Sequence, residues 1–181
     1  QQGVPIVGIE PSCILTLRED YLDLVPGADA TLVAQYALTI DEFLYQLHQR
    51  GELDLEFTEA PKRLLVHGHC HQKALVGTAP TLAVLRLPKG YEVQEIPSGC
   101  CGMAGSFGYE AEHYEVSMKV GELKVFPQIR ELVNHQSQID NRKSAIVSSG
   151  AACRMQIRQG TGVDAIHPIL LVAKLILGRT D

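Results

Sequence analysis

The sequence predicts an α/β fold: an open, mostly parallel sheet of about five strands with helices on both faces, of the Rossmann or flavodoxin-like kind. Three observations predict it. Short apolar, β-favouring runs recur at Val4–Ile9, Leu64–Val66, Tyr91–Ile96, Ser144–Val147 and Val163–Ile166, each too short for a helix. Helical patterns lie between or after these runs, the alternation that parallel sheets require for their crossovers. The chain of 181 residues is 45% hydrophobic, enough to fill one core without disulfide staples.

In chain order, the first strand at Val4–Ile9 leads into a helix that starts just after Pro11 and ends at Pro26-Gly27. Thr39 followed by Glu42 forms a capping box ahead of Ile40, Phe43, Leu44 and Leu47, whose spacing lays one apolar stripe along a helix. Residues 51–62 read as a polar loop before the second strand. Lys89-Gly90 is a turn feeding the third. A helix runs from Glu110 until Pro127, which opens a new turn because proline is tolerated at a helix start and not in its interior. Ser148 or Ser149 is placed to cap the helix after the fourth strand. His167-Pro168 marks the start of the last helix, whose apolar stretch Ile169 to Leu177 is interrupted by Lys174 and falls short of the roughly 20 residues a bilayer needs.

The formal net charge is −5, and no run of Lys or Arg occurs, so there is no electrostatic footprint for nucleic acid or an anionic membrane. Neither end carries a signal-peptide pattern, which places the chain in a reducing, cytoplasmic compartment, or at the inner membrane only through partners. No repeat or linker divides residues 1–181, which read as a single cysteine-rich domain. Gln1-Gln2 is an abrupt beginning for a natural protein and points to a C-terminal fragment of a longer chain.

The chemistry lies in the five cysteines. Cys13, Cys70, the adjacent Cys100 and Cys101, and Cys153 each follow a predicted strand within a few residues. The carboxyl ends of a parallel sheet share one edge, where ligands bind, so sequence-distant thiols become spatial neighbours. Helix N-termini at that edge favour thiolate, the ligand form. Gly99, Gly102 and Gly105 in the run Ser98-Gly99-Cys100-Cys101-Gly102-Met103-Ala104-Gly105 let the backbone approach a cluster closely and aim N–H groups at its sulfides. Scattered core thiols are the bland alternative, which adjacent cysteines in a glycine turn fit poorly.

His67, His69, Cys70 and His71 form a second dense patch, and the alternate spacing of the histidines puts them on one face if the segment is extended. A zinc site using cysteines with His69 or His71 is therefore a competing reading, and His167 reaches the same edge if it is not simply a helix-start residue. Arg154 and Lys73 stand beside Cys153 and Cys70, where positive charge would offset an anionic cluster or attract a carboxylate, with solvated surface charge as the favoured alternative. A third reading is a metal-free thiol catalyst or redox sensor with a histidine as base. No G-x-S-x-G, P-loop or H-E-x-x-H motif is present, and Gly102, Gly105 and Gly108 lack the spacing of a dinucleotide fingerprint.

Cys70, Gly99-Cys100-Cys101-Gly102 and Cys153 together resemble the cysteine-rich "CCG" domain of the heterodisulfide reductase B subunit and of glycolate oxidase iron–sulfur subunits. The likeness is greater still to the C-terminal segment of FAD-linked oxidases of the D-2-hydroxyacid dehydrogenase type. There Gly8-Ile9-Glu10-Pro11-Ser12-Cys13, His67 through Lys73, Gly99 through Gly108 and Gly150 through Ile157 resemble successive signature blocks, with His167-Pro168 closing the series. The resemblance implies an electron-transfer domain that binds an iron–sulfur cluster, in some relatives a noncubane 4Fe–4S cluster. It implies as partners the flavin and ferredoxin-like domains of the parent chain and an electron acceptor that the sequence does not identify, with FAD held outside the present residues. The CCG pattern usually ends in a C-x-x-C pair, whereas here Gly150 and Gln156 flank a lone Cys153, and Cys13 stands in for the missing thiolate.

Overall fold

The computed structural model describes residues 3–57, 59, 62–135 and 144–176. Gln1-Gln2, positions 58, 60 and 61 of the polar loop, and Leu177 lie outside the described residues. The fold class is the expected one, α/β with parallel strand pairing throughout the described residues. The strands, however, form two sheets. β3 (Lys62–Val66), β4 (Tyr91–Glu95), β5 (Ser144–Val147) and β6 (Ala165–Ile166) make a four-stranded sheet of order β4-β3-β5-β6. β1 (Ile6–Gly8) instead pairs with β2 (Ala37–Thr39), with Ile6 opposite Ala37 and Gly8 opposite Thr39. The three residues of β2 are too few to show a period, which is why they are invisible as a strand in the sequence.

Alternation along the central strands sorts the core into two layers. Leu65 and Ile146 face Phe126, Ile129 and Ile157, from α8 (Val125–His135) and α9 (Ala151–Thr161). Leu64, Val66 and Val147 face the opposite way, against Leu85 of α6 (Ala79–Leu85) and Leu171 of α10 (Pro168–Ile176). A period of two puts successive residues on opposite faces, so apolar runs with no polar alternation are what a sheet covered on both sides needs. A smaller cluster of Ile14, Leu15 and Ala37 lies beneath the two-stranded sheet.

Thr39 begins α4 (Ile40–Gln49) with both arms of its capping box made: the Glu42 N–H donates to Thr39 Oγ1 at 3.2 Å and the Thr39 N–H to Glu42 Oε2 at 3.0 Å. The single helix expected between Pro11 and Pro26 is instead two, α1 (Pro11–Thr16) and α2 (Asp20–Leu24), followed by α3 (Ala28–Tyr36). Arg18, in the break, donates to both carboxylate oxygens of Glu42 at 2.8 and 3.0 Å, a tertiary ion pair that helix continuation does not require. The helix expected from Glu110 begins later, as α7 (Tyr114–Leu123), and ends four residues before Pro127. That is the residue whose carbonyl a proline ring would strike, and Pro127 sits in the first turn of α8, where the ring is tolerated.

Candidate metal centre

Three neighbouring strands of the main sheet, β4, β3 and β5, deliver residues to one edge. His67 directly follows β3, and Cys70 is the first residue of α5 (Cys70–Leu75). Cys100 and Cys101 follow β4, and Cys153 lies in the first turn of α9 after β5. Two thiols are buried, Cys101 and Cys153, with their Sγ atoms 3.5 Å apart. Cys70 and Cys100 are half-buried, and Cys100 interacts with both Cys70 and Cys101. Four thiols thus form a continuous group running from the surface to the interior.

Cys13 occupies the first turn of α1 and is exposed. Its strand, β1, belongs to the other sheet, so its helix packs against α5 at the rim of the group. The β1 end is nevertheless drawn to this edge, because Glu10 accepts the Ala151 N–H at the start of α9 with a separation of 2.7 Å. This carboxylate takes the capping role expected of Ser148 or Ser149. Ser149 Oγ is committed to Gln72 Oε1 at 3.1 Å, and the helix has Gly150 at its N-cap with no side-chain cap of its own.

The thiols share protons unequally. Hydrogen bonds from Cys101 and then Cys70 hold Cys100 well below the ordinary thiol range, aided by the Gly102 and Ala104 backbone N–H groups. The Gly102 N–H lies 3.3 Å from Cys100 Sγ. Cys153 is lowered to about 5, first by its hydrogen bond from Cys101 and then, against the opposing cost of burial, by His67 and His69. Cys70 and Cys101 are pushed up, each chiefly by its hydrogen bond to Cys100. Four adjacent thiols cannot all ionise without a cation, and alternate sites carry the negative charge.

Within the glycine run, Gly102 is fixed by a close approach to the Ser117 backbone of α7. Gly102 has φ 104°, and a Cβ there would lie 2.1 Å from the Ser117 carbonyl oxygen. Gly105 also has positive φ, 67°, in the exposed turn beyond it, while Gly99 is exposed just before Cys100. Lys73 Nζ donates to the carbonyl oxygens of Ser98 and Gly99, tying α5 to the turn that carries Cys100. Arg154 Nη1 donates to the Ser148 and Ser149 carbonyls at 3.0 and 2.7 Å, so both cations brace the loops of the site.

The histidines separate. Because α5 begins at Cys70, the segment is extended only as far as His69, and His71 turns to Glu19, with Nε2 2.9 Å from Oε2. His167 acts at the helix start: its Nδ1 accepts the Ile169 N–H at 3.1 Å and its Nε2–H donates to Ile9 O at 2.8 Å, which uses both ring nitrogens. His69 is buried against Gly150, with Nδ1 lacking a partner. His67, which the sequence places in the patch without distinguishing it, is fully buried, and a ring nitrogen lies within 4.8 Å of both Cys101 Sγ and Cys153 Sγ. Its Nε2 is buried without a hydrogen-bond partner. Soft thiolates converging with an orphaned imidazole nitrogen are the donor chemistry of zinc and iron sites, so the residues fit a bound metal group.

The chain is 26% identical over 175 residues to the C subunit of anaerobic glycerol-3-phosphate dehydrogenase of Escherichia coli, covering 97% of this chain and 41% of the relative. It is 29% identical over 175 residues to D-2-hydroxyglutarate dehydrogenase of Pantoea ananatis and 26% identical to the protein of that name in Escherichia coli. There the match covers 96% of this chain and 16% of either relative. The chain therefore spans less than half the length of these curated relatives. No protein-family model and no solved structure matches it. Among the described residues no helix is long and apolar enough to cross a membrane.

Proposed function

We propose that the chain is a CCG-type electron-transfer module, binding an iron–sulfur cluster within a FAD-linked oxidoreductase that acts on a 2-hydroxyacid. The observation that carries this reading is the group of four thiols delivered by three adjacent strand ends, with Cys101 and Cys153 at 3.5 Å. The relatives are one subunit of a glycerol-3-phosphate dehydrogenase and two dehydrogenases of a 2-hydroxyacid, and all are longer than this chain. The remaining length of such proteins is where a flavin domain, ferredoxin-like clusters and the contacts to an electron acceptor would lie.

Cys70, Cys100, Cys101 and Cys153 would hold the cluster, with Cys13 as the fifth thiolate reaching in from α1. When bound, such a cluster supplies one-electron transfer. The chain's own residues would set its environment. Cys101 and Cys153 exclude water on the inner side by their burial. The Gly102 N–H, directed at Cys100 Sγ, stabilises negative charge on that sulfur and so favours the reduced state. Half-buried Cys70 and Cys100 mark the side open to a partner.

Iron and acid-labile sulfide analysis, with visible absorption, on protein expressed with ample iron and purified without oxygen tests the reading. Stoichiometric iron and sulfide with a colour that bleaches on reduction is the expected result. Zinc near one equivalent without sulfide would overturn it in favour of a structural docking module, the reading that the orphaned imidazole of His67 favours. A metal-free thiol catalyst would rest on Cys100, half-buried and held below the ordinary thiol range by its neighbours, and stoichiometric iron and sulfide would exclude it.

A further inference from the structure

We infer that His67 is a metal ligand through Nε2, so that this centre has a mixed nitrogen and sulfur donor set in which His67, Cys101 and Cys153 share one metal ion. The inference rests on the metal-binding part of the proposed function and not on its cluster chemistry. The ion would be of the borderline kind that accepts both donors, zinc or ferrous iron.

The backbone and the ring of His67 are both held. Its N–H donates to the Val147 carbonyl at 2.8 Å, extending the β3–β5 pairing by one residue past the strand end. The ring is completely buried. Nδ1 lies 3.0 Å from Ser98 Oγ. The Ser98 hydroxyl donates to the Ile96 carbonyl at 3.4 Å, and Lys73 Nζ donates to the same Oγ at 3.4 Å. With Lys73 donating to it, Ser98 Oγ can accept from Nδ1–H, the tautomer that a metal on Nε2 requires.

That tautomer places the lone pair on Nε2. A buried acceptor with no partner costs stability, and native structures rarely keep one without a reason. A ring nitrogen of His67 lies within 4.8 Å of both buried thiols, Cys101 and Cys153, close enough for one ion to reach all three, and Nε2 is the nitrogen that Ser98 leaves free. A ligating histidine characteristically gives its other ring N–H to an oxygen that fixes tautomer and orientation. Ser98, braced by Lys73, is in that position. His71 and His167 have committed their nitrogens elsewhere, and His69 is not within the same reach of the thiol pair.

The test uses the 181-residue chain with histidine side chains labelled with ¹⁵N, loaded without oxygen with one equivalent of Zn²⁺ and followed by NMR. The expected result is that one imidazole, lost in His67→Gln, moves its Nε2 resonance to the metal-bound range while its Nδ1 keeps a proton. Zinc affinity should fall by at least about tenfold in His67→Gln, the lower bound seen for losing even an outer partner of a ligand. Ser98→Ala should weaken binding while keeping the nitrogen shift, and His69→Gln should leave the shift in place. If His67→Gln fails to fold, His67→Cys supplies a thiolate instead and should keep the metal without any shifted imidazole. Zinc bound with every imidazole unshifted, or with His69 shifted instead, would overturn the assignment. So would no zinc binding at all. In each of these cases, iron and sulfide assembling on the thiols would leave the iron–sulfur reading standing. Zinc held by His67 in a chain that never assembles iron and sulfide would do the reverse.

Discussion

Glu10 and Ala151 meet at 2.7 Å, carboxylate oxygen to backbone N–H, across nearly the whole chain. The contact seals the N-terminal end of the helix that carries Cys153 with a side chain from the first strand–helix turn. Ser12 Oγ holds the other carboxylate oxygen at 3.1 Å. Glu10→Ala should destabilise the fold by about 1 kcal/mol, the usual worth of an N-cap, and Glu10→Gln by less, because an acceptor remains and only the helix-dipole attraction is lost. Urea midpoints at unchanged slope would check both; equal stabilities would mean that water replaces the carboxylate at no cost.

Cys101→Ser and Cys153→Ser should each abolish bound metal, since each removes an inner donor and leaves a buried hydroxyl among thiols. Cys13→Ser should reduce metal content less than either, because its thiol lies exposed on α1. Metal per chain after identical anaerobic preparation is the measurement, and equal loss in all three would place Cys13 in the inner group.

In the metal-free chain, Cys101 and Cys153 at 3.5 Å are close enough to be oxidised to a disulfide with small movement. The diazene oxidant diamide would take up the two electrons and two protons released. Peptide mass mapping should find this pair cross-linked before any other, and prior loading with zinc should protect it. Cross-linking of Cys70 to Cys100 first would contradict the expectation.

Gly102→Ala puts a Cβ 2.1 Å from the Ser117 carbonyl and forces an L-residue to φ 104°. Strain and overpacking together predict a loss of about 2–4 kcal/mol. Because Gly102 directs its N–H at Cys100, metal retention should fall with it. Gly99→Ala, with nothing within 4 Å of the added carbon, is the control expected to be near neutral.

Asp41 is buried in α4 and accepts from Thr81 Oγ1 at 2.6 Å; Gln72 donates to Thr81 at 2.8 Å, and Ser149 to Gln72. Burial pushes its carboxyl above the usual value, opposed by the Thr81 hydrogen bond and by His167, with Glu42 adding to the rise. The folded state therefore holds a proton more tightly than the unfolded chain. Stability should fall as pH rises from about 3.8 through the raised folded value, and change no further from this group above it. Asp41→Asn should remove that portion of the slope in denaturation curves recorded across the acid range, while keeping an acceptor for Thr81. An unchanged slope would assign the pH dependence to other groups.

The sequence determined a good deal locally. The capping box at Thr39 and Glu42 formed as written, since every group it needs lies within four residues. Leu64–Val66 and Ser144–Val147 are strands, because uninterrupted apolar runs suit a sheet covered on both faces. The forecast that thiols after parallel strands meet holds for Cys70, Cys100, Cys101 and Cys153, whose strands share a sheet, and not for Cys13, which follows a strand of the other sheet and is exposed.

Tertiary structure alone decided which strands share a sheet. Pairing of β1 with β2 depends on hydrogen bonds between Ile6–Gly8 and Ala37–Thr39, and three residues carry too little pattern to announce it. It also decided which donors face the thiols. Five residues contain His67, His69 and His71, and the residue types rank them equally. The onset of α5 at Cys70 turns His71 toward Glu19, and the Ser98 contact holds His67 beside Cys101 and Cys153. Likewise Glu10, 141 positions from Ala151, took the cap that Ser149 was placed to supply. A side chain's partner is set by the folded distance between groups, and local sequence constrains that distance only over a few turns or a single strand pair.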